Sequence, residues 1–291
     1  MLVTGSAIAW STAGYFTRLV PLDAWTLLFW RGVFATFGLL VFLGVTRPRD
    51  ALRQFRSLGL SGWLFAVLSA CGMILYITSL TLTTVAHVAI IYGTVPFLAA
   101  GLGLLVLREI PSRTAILASL VALAGVMAMV GSGAAEGDLL GDALAFGMTL
   151  VMAGIIVICR HSRTIPILPA ACLSALLSAL ACWPLSTALA PTFEQLGCLA
   201  LFGLINLALG IVLFTLGSRL LPAIETALIG SLDAPLAPVW VWLAFGETPG
   251  INTILGGILV FGAVLANVVL GARSRKAVPD ARLGVAESGM D

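Results

Sequence analysis

The sequence predicts an all-α membrane protein with ten transmembrane helices, arranged as two inverted repeats of five helices each. Composition is the first of three observations behind this prediction: 60% of the residues are hydrophobic and only 10% are charged. The mean hydropathy is accordingly high, at +1.12. Second, apolar stretches long enough to cross a bilayer follow one another along the 291-residue chain. Third, the apolar stretch at 85–111 recurs at 223–249.

These stretches are predicted to be helices because lipid offers no partners for backbone polar groups, so each segment must pair its own. Their continuous apolar character, without alternation, excludes the strands of a membrane barrel. The first stretch begins beside Met1 without a basic segment before it, so we expect a helix and not a cleaved signal peptide. The ten stretches are 2–19, 25–45, 58–80, 84–107, 114–131, 140–159, 168–189, 197–217, 222–245 and 251–271.

Charges between the stretches predict the orientation of the chain. Every second connection carries bases, whereas the others carry acids or no charge, apart from Arg18. Because basic loops stay in the cytoplasm, both termini are predicted to be cytoplasmic, in the inner cell membrane. The bases are Arg47, Arg49, Arg53, Arg56, Arg108, Arg113, Arg160, Arg163, Arg219, Arg273, Arg275 and Lys276. The acids of the opposite connections are Asp23, Glu136, Asp138, Glu194 and Glu247.

The recurring stretch predicts an internal repeat. VAHVAIIYGTVPFLAAGLGLLVLREIP at 85–111 returns without a gap as AIETALIGSLDAPLAPVWVWLAFGETP at 223–249, and both copies end in a glutamate two residues before a proline. With five spans in each half, the second half is inverted in the membrane, as in carriers that open to either side. We predict repeats at 2–131 and 138–271, and a disordered cytoplasmic tail at 272–291. The identical pairs are Ala89/Ala227, Ile91/Ile229, Leu98/Leu236, Ala99/Ala237, Glu109/Glu247 and Pro111/Pro249.

The sequence lacks the residues that several other functional classes require. A net charge of +2 is too small to indicate a nucleic-acid partner, and without a Walker-type phosphate loop ATP is not the predicted energy source. Two histidines and five scattered cysteines predict no metal and no cofactor. An intramembrane enzyme would need a GxSxG or HExxH motif or an aspartyl dyad, and the sequence contains none of these. A structural scaffold would need neither a repeat nor charges inside the membrane.

Polar residues within the apolar stretches predict a central cavity, because polar side chains avoid lipid and face the interior of a bundle. The alternative is that Ser and Thr bond their own helix and that Trp anchors a span end at the interface. For His87, a satisfied buried imidazole is the alternative to a substrate contact. The candidate cavity residues are Ser11, Tyr15, Tyr76, Ser79, His87, Tyr92, Thr94, Asn206, Asp233 and Trp240.

Charged residues and prolines inside the spans are candidates for special roles. Asp233 is expected about 16 Å into its span, near the midplane, where it could bind a substrate amine, carry a proton or cap freed backbone groups. Arg31 is expected to serve helix packing or hydrogen bonding at the outer mouth, with direct substrate contact as the alternative. Pro96, Pro235 and Pro238 interrupt helical hydrogen bonding and are candidate hinges or static bends.

Other segments resemble a known family. FWRGVFA at 29–35, LTLTTVAHVAIIYGTVPFLAA at 80–100 and GDLLGDALAFGM at 137–148 accompany the two endings REIP and GETP. Together they resemble the EamA type of the drug/metabolite transporter superfamily over about residues 2–271. Within it, the chain is most similar to YddG-type exporters of aromatic and other neutral amino acids. It departs from the small multidrug exporters, whose first helix carries a glutamate.

The resemblance implies a secondary transporter that exports small neutral or zwitterionic metabolites, amino acids above all, by alternating access through a central cavity. Another drug or metabolite transporter of the same superfamily is the alternative, and a membrane scaffold is a distant one. The implied partners are a small-molecule substrate and the lipid bilayer. Coupling to protons stays open at this stage, as does the oligomeric state.

Overall fold

A computed structural model describes residues 1–46, 50–83, 85–130, 138–162, 165–187, 190–246, 248 and 250–276. Throughout this part of the chain the regular secondary structure is helical, without strands, and the all-α prediction is confirmed. The helices are α1 Leu2–Ser11, α2 Ala13–Leu19, α3 Ala24–Thr46, α4 Ala51–Arg56, α5 Gly59–Leu82, α6 Val85–Tyr92, α7 Val95–Leu102, α8 Arg113–Val130, α9 Leu139–His161, α10 Ile167–Cys182, α11 Phe193–Leu201, α12 Gly210–Ser218, α13 Ala223–Gly230, α14 Asp233–Phe245 and α15 Ile251–Lys276. Gly103–Leu107 and Phe202–Leu209 are π-helical, and Trp183–Leu185 is a 3-10 turn.

Eight helical segments among the described residues are long and apolar enough to cross a membrane. They are Ala24–Thr46, Gly59–Ser79, His87–Leu107, Leu139–His161, Leu168–Leu185, Phe193–Ser218, Ala223–Phe245 and Ile251–Leu270. Large apolar side chains such as Val45, Leu105 and Leu265 cover the outside of the bundle, where lipid would solvate them. The chain is therefore a multi-pass membrane protein.

The two remaining predicted stretches are also helical but differ from a single long span. Arg113–Met129 is a shorter apolar helix. The first stretch is divided at Thr12 into α1 and α2, whereas the sequence predicted one continuous helix. The Thr12 hydroxyl donates to the Ala9 carbonyl at 2.6 Å, and this competition with helical bonding accompanies the break. At the other end of the chain, α15 continues through 272–276, which were predicted to begin the disordered tail.

The recurring sequence stretch recurs as structure. The eight residues of α6 and the eight of α13 begin at Val85 and Ala223, the first positions of the two matching stretches. In each copy the helix stops for two residues and then restarts, at Val95 in the first copy and Asp233 in the second. These breaks fall at the same position of both copies.

The two copies also end alike. Arg108 has a φ of 55° and Gly246 a φ of 69°, so the same position of each copy takes the left-handed conformation that stops a helix. Glycine adopts this conformation freely, whereas arginine does so at an energetic cost. The equivalents that follow, Glu247 and Pro249, lie outside the described residues.

Close contacts between helices depend on glycine. The most extensive contacts join α8 to α15, α5 to α9 and α3 to α10. Where α8 crosses α15, a Cβ on Gly125 would lie 2.7 Å from the Gly256 carbonyl oxygen. On α3, a Cβ on Gly32 would lie 2.8 Å from both the Ala175 carbonyl oxygen and the Ala179 Cβ. Small residues at these crossings allow the backbones to approach, as is usual for helices packing in lipid.

Asp23 caps the start of α3 and ties it to a distant loop. Its Oδ1 accepts from the Thr26 backbone N–H at 3.0 Å, and its Oδ2 accepts from the Thr187 hydroxyl at 2.6 Å. Partial burial would raise the pKa of Asp23, but the hydrogen bonds from Thr187 and Thr26 outweigh it and hold the pKa below its ordinary value. The connection between the first two spans is thereby fastened to the loop after α10.

Candidate functional site

The breaks in the fourth and ninth spans border one space inside the bundle. Tyr92 and Pro96, on either side of the first break, line this space together with Gly230 and Ser231, which adjoin the second. At the first break the Ile91 carbonyl accepts from both the hydroxyl and the backbone N–H of Thr94, at 2.6 and 3.0 Å. Interrupted helices that meet in this way form the binding sites of many repeat-built carriers.

Asp233 restarts the ninth span as the first residue of α14. Its carboxylate lies at the positive end of the helix dipole, which favours a negative charge. The N-cap residue Leu232 makes no side-chain hydrogen bond, whereas the Asp233 carboxylate accepts a hydrogen bond from the Ala234 backbone N–H, as a capping role would require. Among the described residues, no side-chain donor or cation contacts the carboxylate, and the residue remains partly exposed. Asp233 is therefore an acid without a protein counter-ion inside the bundle.

Two tyrosines lie near this acid. Tyr76, on α5, and Tyr92, at the end of α6, both lie within electrostatic reach of Asp233. Tyr76 keeps 39% of its surface accessible. Because a phenol hydroxyl avoids lipid, we expect this accessible surface to border an internal opening. The tyrosines thus provide aromatic walls and hydroxyl groups beside Asp233.

Arg31 is the buried cation of this region, with 7% of its surface accessible. Its Nη1 donates to the Asn206 Oδ1 at 3.2 Å, and its Nη2 contacts the Met73 sulfur at 3.4 Å. The guanidinium carbon lies 5.4 Å from the centre of the Phe202 ring. The Nε hydrogen-bond donor is buried without a partner. Arg31 therefore lies inside the bundle among neutral neighbours of other helices, contacts that agree with the predicted role in helix packing.

Asn206 and Ser11 hold helices together. The Asn206 amide donates to the carbonyls of Ala9 and Trp10, each at 3.0 Å, while its oxygen accepts from Arg31. The Ser11 hydroxyl donates to the Ile8 carbonyl and accepts from the Trp240 indole N–H at 2.8 Å. Both Asn206 and Ser11 are 2% exposed. Their polar atoms join α1 to the π-helical segment Phe202–Leu209 and to α14.

The remaining candidates lie in different surroundings. Ser79 is fully buried, and its hydroxyl donates to the Tyr76 carbonyl of its own helix. The Tyr15 ring lies 5.2 Å from the Phe16 ring and 5.8 Å from the Phe245 ring, in an aromatic cluster between α2 and α14. The structure thus brings Tyr76, Tyr92 and Asp233 together and assigns Ser79 to helix packing.

The prolines lie at or after the helix breaks. Pro96 is the second residue of α7 and Pro235 the third of α14, in first turns whose N–H groups have no helical partner in any case. Only Pro238 lies in the interior of a helix. Pro96 and Pro235 therefore favour a restart of the helix.

His87 has a partner that the sequence analysis did not predict. Its Nδ1 lies 3.0 and 2.9 Å from the two carboxylate oxygens of Asp142, in the first turn of α9. The Thr83 hydroxyl donates to the same carboxylate at 2.7 Å. These contacts fasten the start of the fourth span to the start of α9. The only indication of this pair in the sequence is Asp142 itself, an acid in the first turn of an apolar stretch.

A second polar network lies at the opposite ends of the same helices. Arg160, in the last turn of α9, donates from Nε to the Glu109 Oε1 at 2.8 Å and from Nη1 to the Arg219 carbonyl at 2.8 Å. Arg219 in turn donates to the Ile165 carbonyl. Burial lowers the pKa of Arg219 from its ordinary value. This network joins the ends of three spans.

Comparison with known proteins identifies the family. Residues 1–131 and 139–269 each match the EamA-like transporter family. The chain belongs to the EamA-like transporter family. No curated protein matches the chain in sequence. Among solved structures 29 chains match, including one crystal structure with a TM-score of 0.80 and 18% identity, over 92% of this chain and 97% of that one.

The family resemblance predicted from the sequence is thereby confirmed, and the 18% identity to the solved structure shows the fold alone. As an EamA-like transporter, the chain is a multi-pass membrane protein of a family of transporters and not of enzymes. Near the candidate site, Asp142 and Met73 were not predicted from the sequence. Neither residue stands out until its contact with His87 or Arg31 is known.

Proposed function

We propose that this EamA-like transporter exports small zwitterionic metabolites, amino acids above all, across the inner cell membrane. The observation that carries the proposal is Asp233, a carboxylate beside the break of the ninth span that has no counter-ion among the described residues. An ammonium group would supply the missing positive charge, and Tyr76 and Tyr92 would contact an apolar or aromatic side chain.

The mechanism we propose is alternating access by ten spans in two inverted repeats, at 2–131 and 138–271. The matching starts, breaks and left-handed ends of the two copies support a repeat. In such a carrier the halves rock about a central site, and Gly93 and Ser231 are suitable positions for the bending. Both termini would be cytoplasmic, as the basic loops indicate.

Asp233 has two functions open to it within this proposal. It can bind the substrate ammonium group directly, or it can exchange a proton as the site opens to each side.

A second candidate function for the protein is export of cationic drugs or amine metabolites, which is favoured by the same acid and its aromatic surroundings.

The proposal is tested by counterflow into liposomes that contain the purified protein. A panel of neutral amino acids is compared with hydrophobic amines that lack a carboxylate, with and without a pH gradient. We expect exchange of one or more amino acids. Exchange of the amines alone would favour the second candidate function, and no exchange of either class would contradict both.

Asp233→Asn separates the roles of the acid, with Asp50→Asn as a matched control. Asp50 is an exposed acid outside the spans whose side chain makes no capping bond. If Asp233 binds ammonium, Asp233→Asn weakens amino-acid affinity by about tenfold or more, since a charged hydrogen bond contributes about 1.5–3 kcal/mol. If it carries a proton, exchange persists but its dependence on the pH gradient disappears. A variant indistinguishable from Asp50→Asn would remove Asp233 from the mechanism.

A further inference from the structure

Arg31 is a buried charge whose hydrogen bonding is incomplete. A guanidinium has five N–H donors in a planar fork, suited to two parallel bonds with a carboxylate. In this protein its neighbours are an amide oxygen, a thioether sulfur and an aromatic face, and the Nε has no partner. None of these neighbours carries a charge. A cation in this position is costly unless an anion joins it during the working cycle.

No acid in the part of the chain that the structure describes supplies that anion. Among the described residues, no carboxylate lies within salt-bridge distance of Arg31, and the ion pairs of this part of the chain involve His87 and Arg160. Asp233 is not in contact with it either, although both charges act on Tyr76. Two opposite charges therefore act on one tyrosine, and neither has a counter-ion among the described residues.

The position of Tyr76 connects Arg31 to the internal opening. Met73, which touches the Arg31 Nη2, lies three residues before Tyr76 on α5, so the two side chains are neighbours on one face of that helix. Tyr76 is accessible, whereas Met73 is partly exposed. A small molecule beside the Tyr76 ring would approach Arg31 at one end and Asp233 at the other.

We propose that Arg31 anchors the carboxylate of the transported molecule while Asp233 takes its ammonium group; the ammonium half of this inference rests on the proposed function. Arg31 is then the specificity-determining residue that distinguishes an acid from its neutral amide. The paired charges explain why both residues lack counter-ions among the described residues: each receives one from the zwitterion. If its role were purely structural, Arg31 would only fasten α3 to α5 and to the π-helical segment Phe202–Leu209.

The test uses two probes that differ only in the anionic group, 3-phenylpropionate and 3-phenylpropanamide. Binding to the purified full-length protein is measured by calorimetry, together with L-phenylalanine. We expect the wild-type protein to bind the propionate about tenfold or more tightly than the amide, because a charged hydrogen bond to a carboxylate is replaced by a neutral one. Equal affinities for the two probes would overturn the proposal.

Met73→Glu and Met73→Gln form the matched pair of variants. Met73→Glu places an internal carboxylate beside the Arg31 Nη2, where it competes with that of the ligand, whereas Met73→Gln has the same shape without the charge. We expect Met73→Glu to abolish the preference for propionate and Met73→Gln to retain it. Loss of the preference in both variants, or in neither, would contradict a carboxylate anchor at Arg31.

Arg31→Gln and Arg31→Lys supply the direct measurement. Arg31→Gln should remove the propionate preference, and Arg31→Lys should restore part of it, since lysine keeps the charge but not the fork. A structural residue would instead lower thermal stability and weaken both probes equally. If Arg31→Gln does not fold, the Met73 pair still decides. If the protein prefers the propionate but exchanges no amino acid, the carboxylate anchor at Arg31 is retained and the zwitterionic substrate is rejected.

Discussion

Arg160 and Glu109 form an ion pair of 2.8 Å that joins the last turn of α9 to the end of the fourth span. His87 and Asp142 join the starts of the same two elements at 2.9 Å. Start is paired with start and end with end, so the two elements run parallel. A polar clamp therefore holds each end, and the break at Gly93 lies between the clamps. If the halves rock, the two clamps cannot remain equally closed in every state.

Substitutions that open one clamp or the other are therefore expected to favour states that are open to opposite sides of the membrane. Arg160→Gln should increase access from the side of Glu109, and Asp142→Asn should increase access from the side of His87. Partly exposed ion pairs contribute about 1 kcal/mol or less, so we expect population changes of about fivefold or less. Access is measured by the reaction of an engineered cysteine with impermeant thiol reagents added to each side. Arg113→Gln, an exposed base near Glu109, is the control, and equal access changes in all three variants would argue against clamps.

Topology is the second prediction. Because the bases occupy every second connection, reporter fusions after residue 135 should report the outside of the cell and fusions after residue 165 the inside. Paired alkaline phosphatase and fluorescent protein fusions provide the measurement. The reverse pattern would require an inverted chain, and the same side for both positions would mean that α9 does not cross.

Cysteine accessibility separates the internal opening from helix contacts. In a variant without the five native cysteines, Tyr76→Cys should react with a small charged methanethiosulfonate, because Tyr76 is 39% exposed. Ser79→Cys, three residues further along α5, should be protected because Ser79 is 0% exposed. Asp233→Cys should react and Asn206→Cys should not. Equal reactivity at positions 76 and 79 would contradict this arrangement.

Two glycines of α3 provide a matched test of close packing. Gly32→Ala should destabilise the protein by about 1–3 kcal/mol, since its Cβ would overlap the α10 backbone at Ala175. Gly44→Ala should not destabilise it, because no atom lies within 4 Å of the added carbon. Thermal unfolding in detergent compares the two. A destabilised Gly44→Ala variant would indicate that the loss does not come from the α3–α10 contact.

Much of the fold follows from the sequence because the bilayer leaves the backbone one choice. Long apolar stretches must form helices, and each predicted stretch contains helix within the residues that the structure describes. The match between 85–111 and 223–249 anticipated equivalent segments, and the breaks before Val95 and Asp233 fall at the same position of both. The break at Thr12 was not predicted, because a single hydroxyl in an apolar helix seldom interrupts it.

Residue partners required the tertiary structure. The sequence by itself determined the all-helical membrane fold, the family resemblance and the presence of charges within the spans, since these depend on composition and spacing along one chain. It did not determine that His87 meets Asp142, that Asn206 bonds two carbonyls of α1, or that Arg31 contacts Met73. Such contacts depend on how each helix rotates about its axis and which neighbour it meets, and apolar periodicity is weak when lipid and protein interior are both apolar.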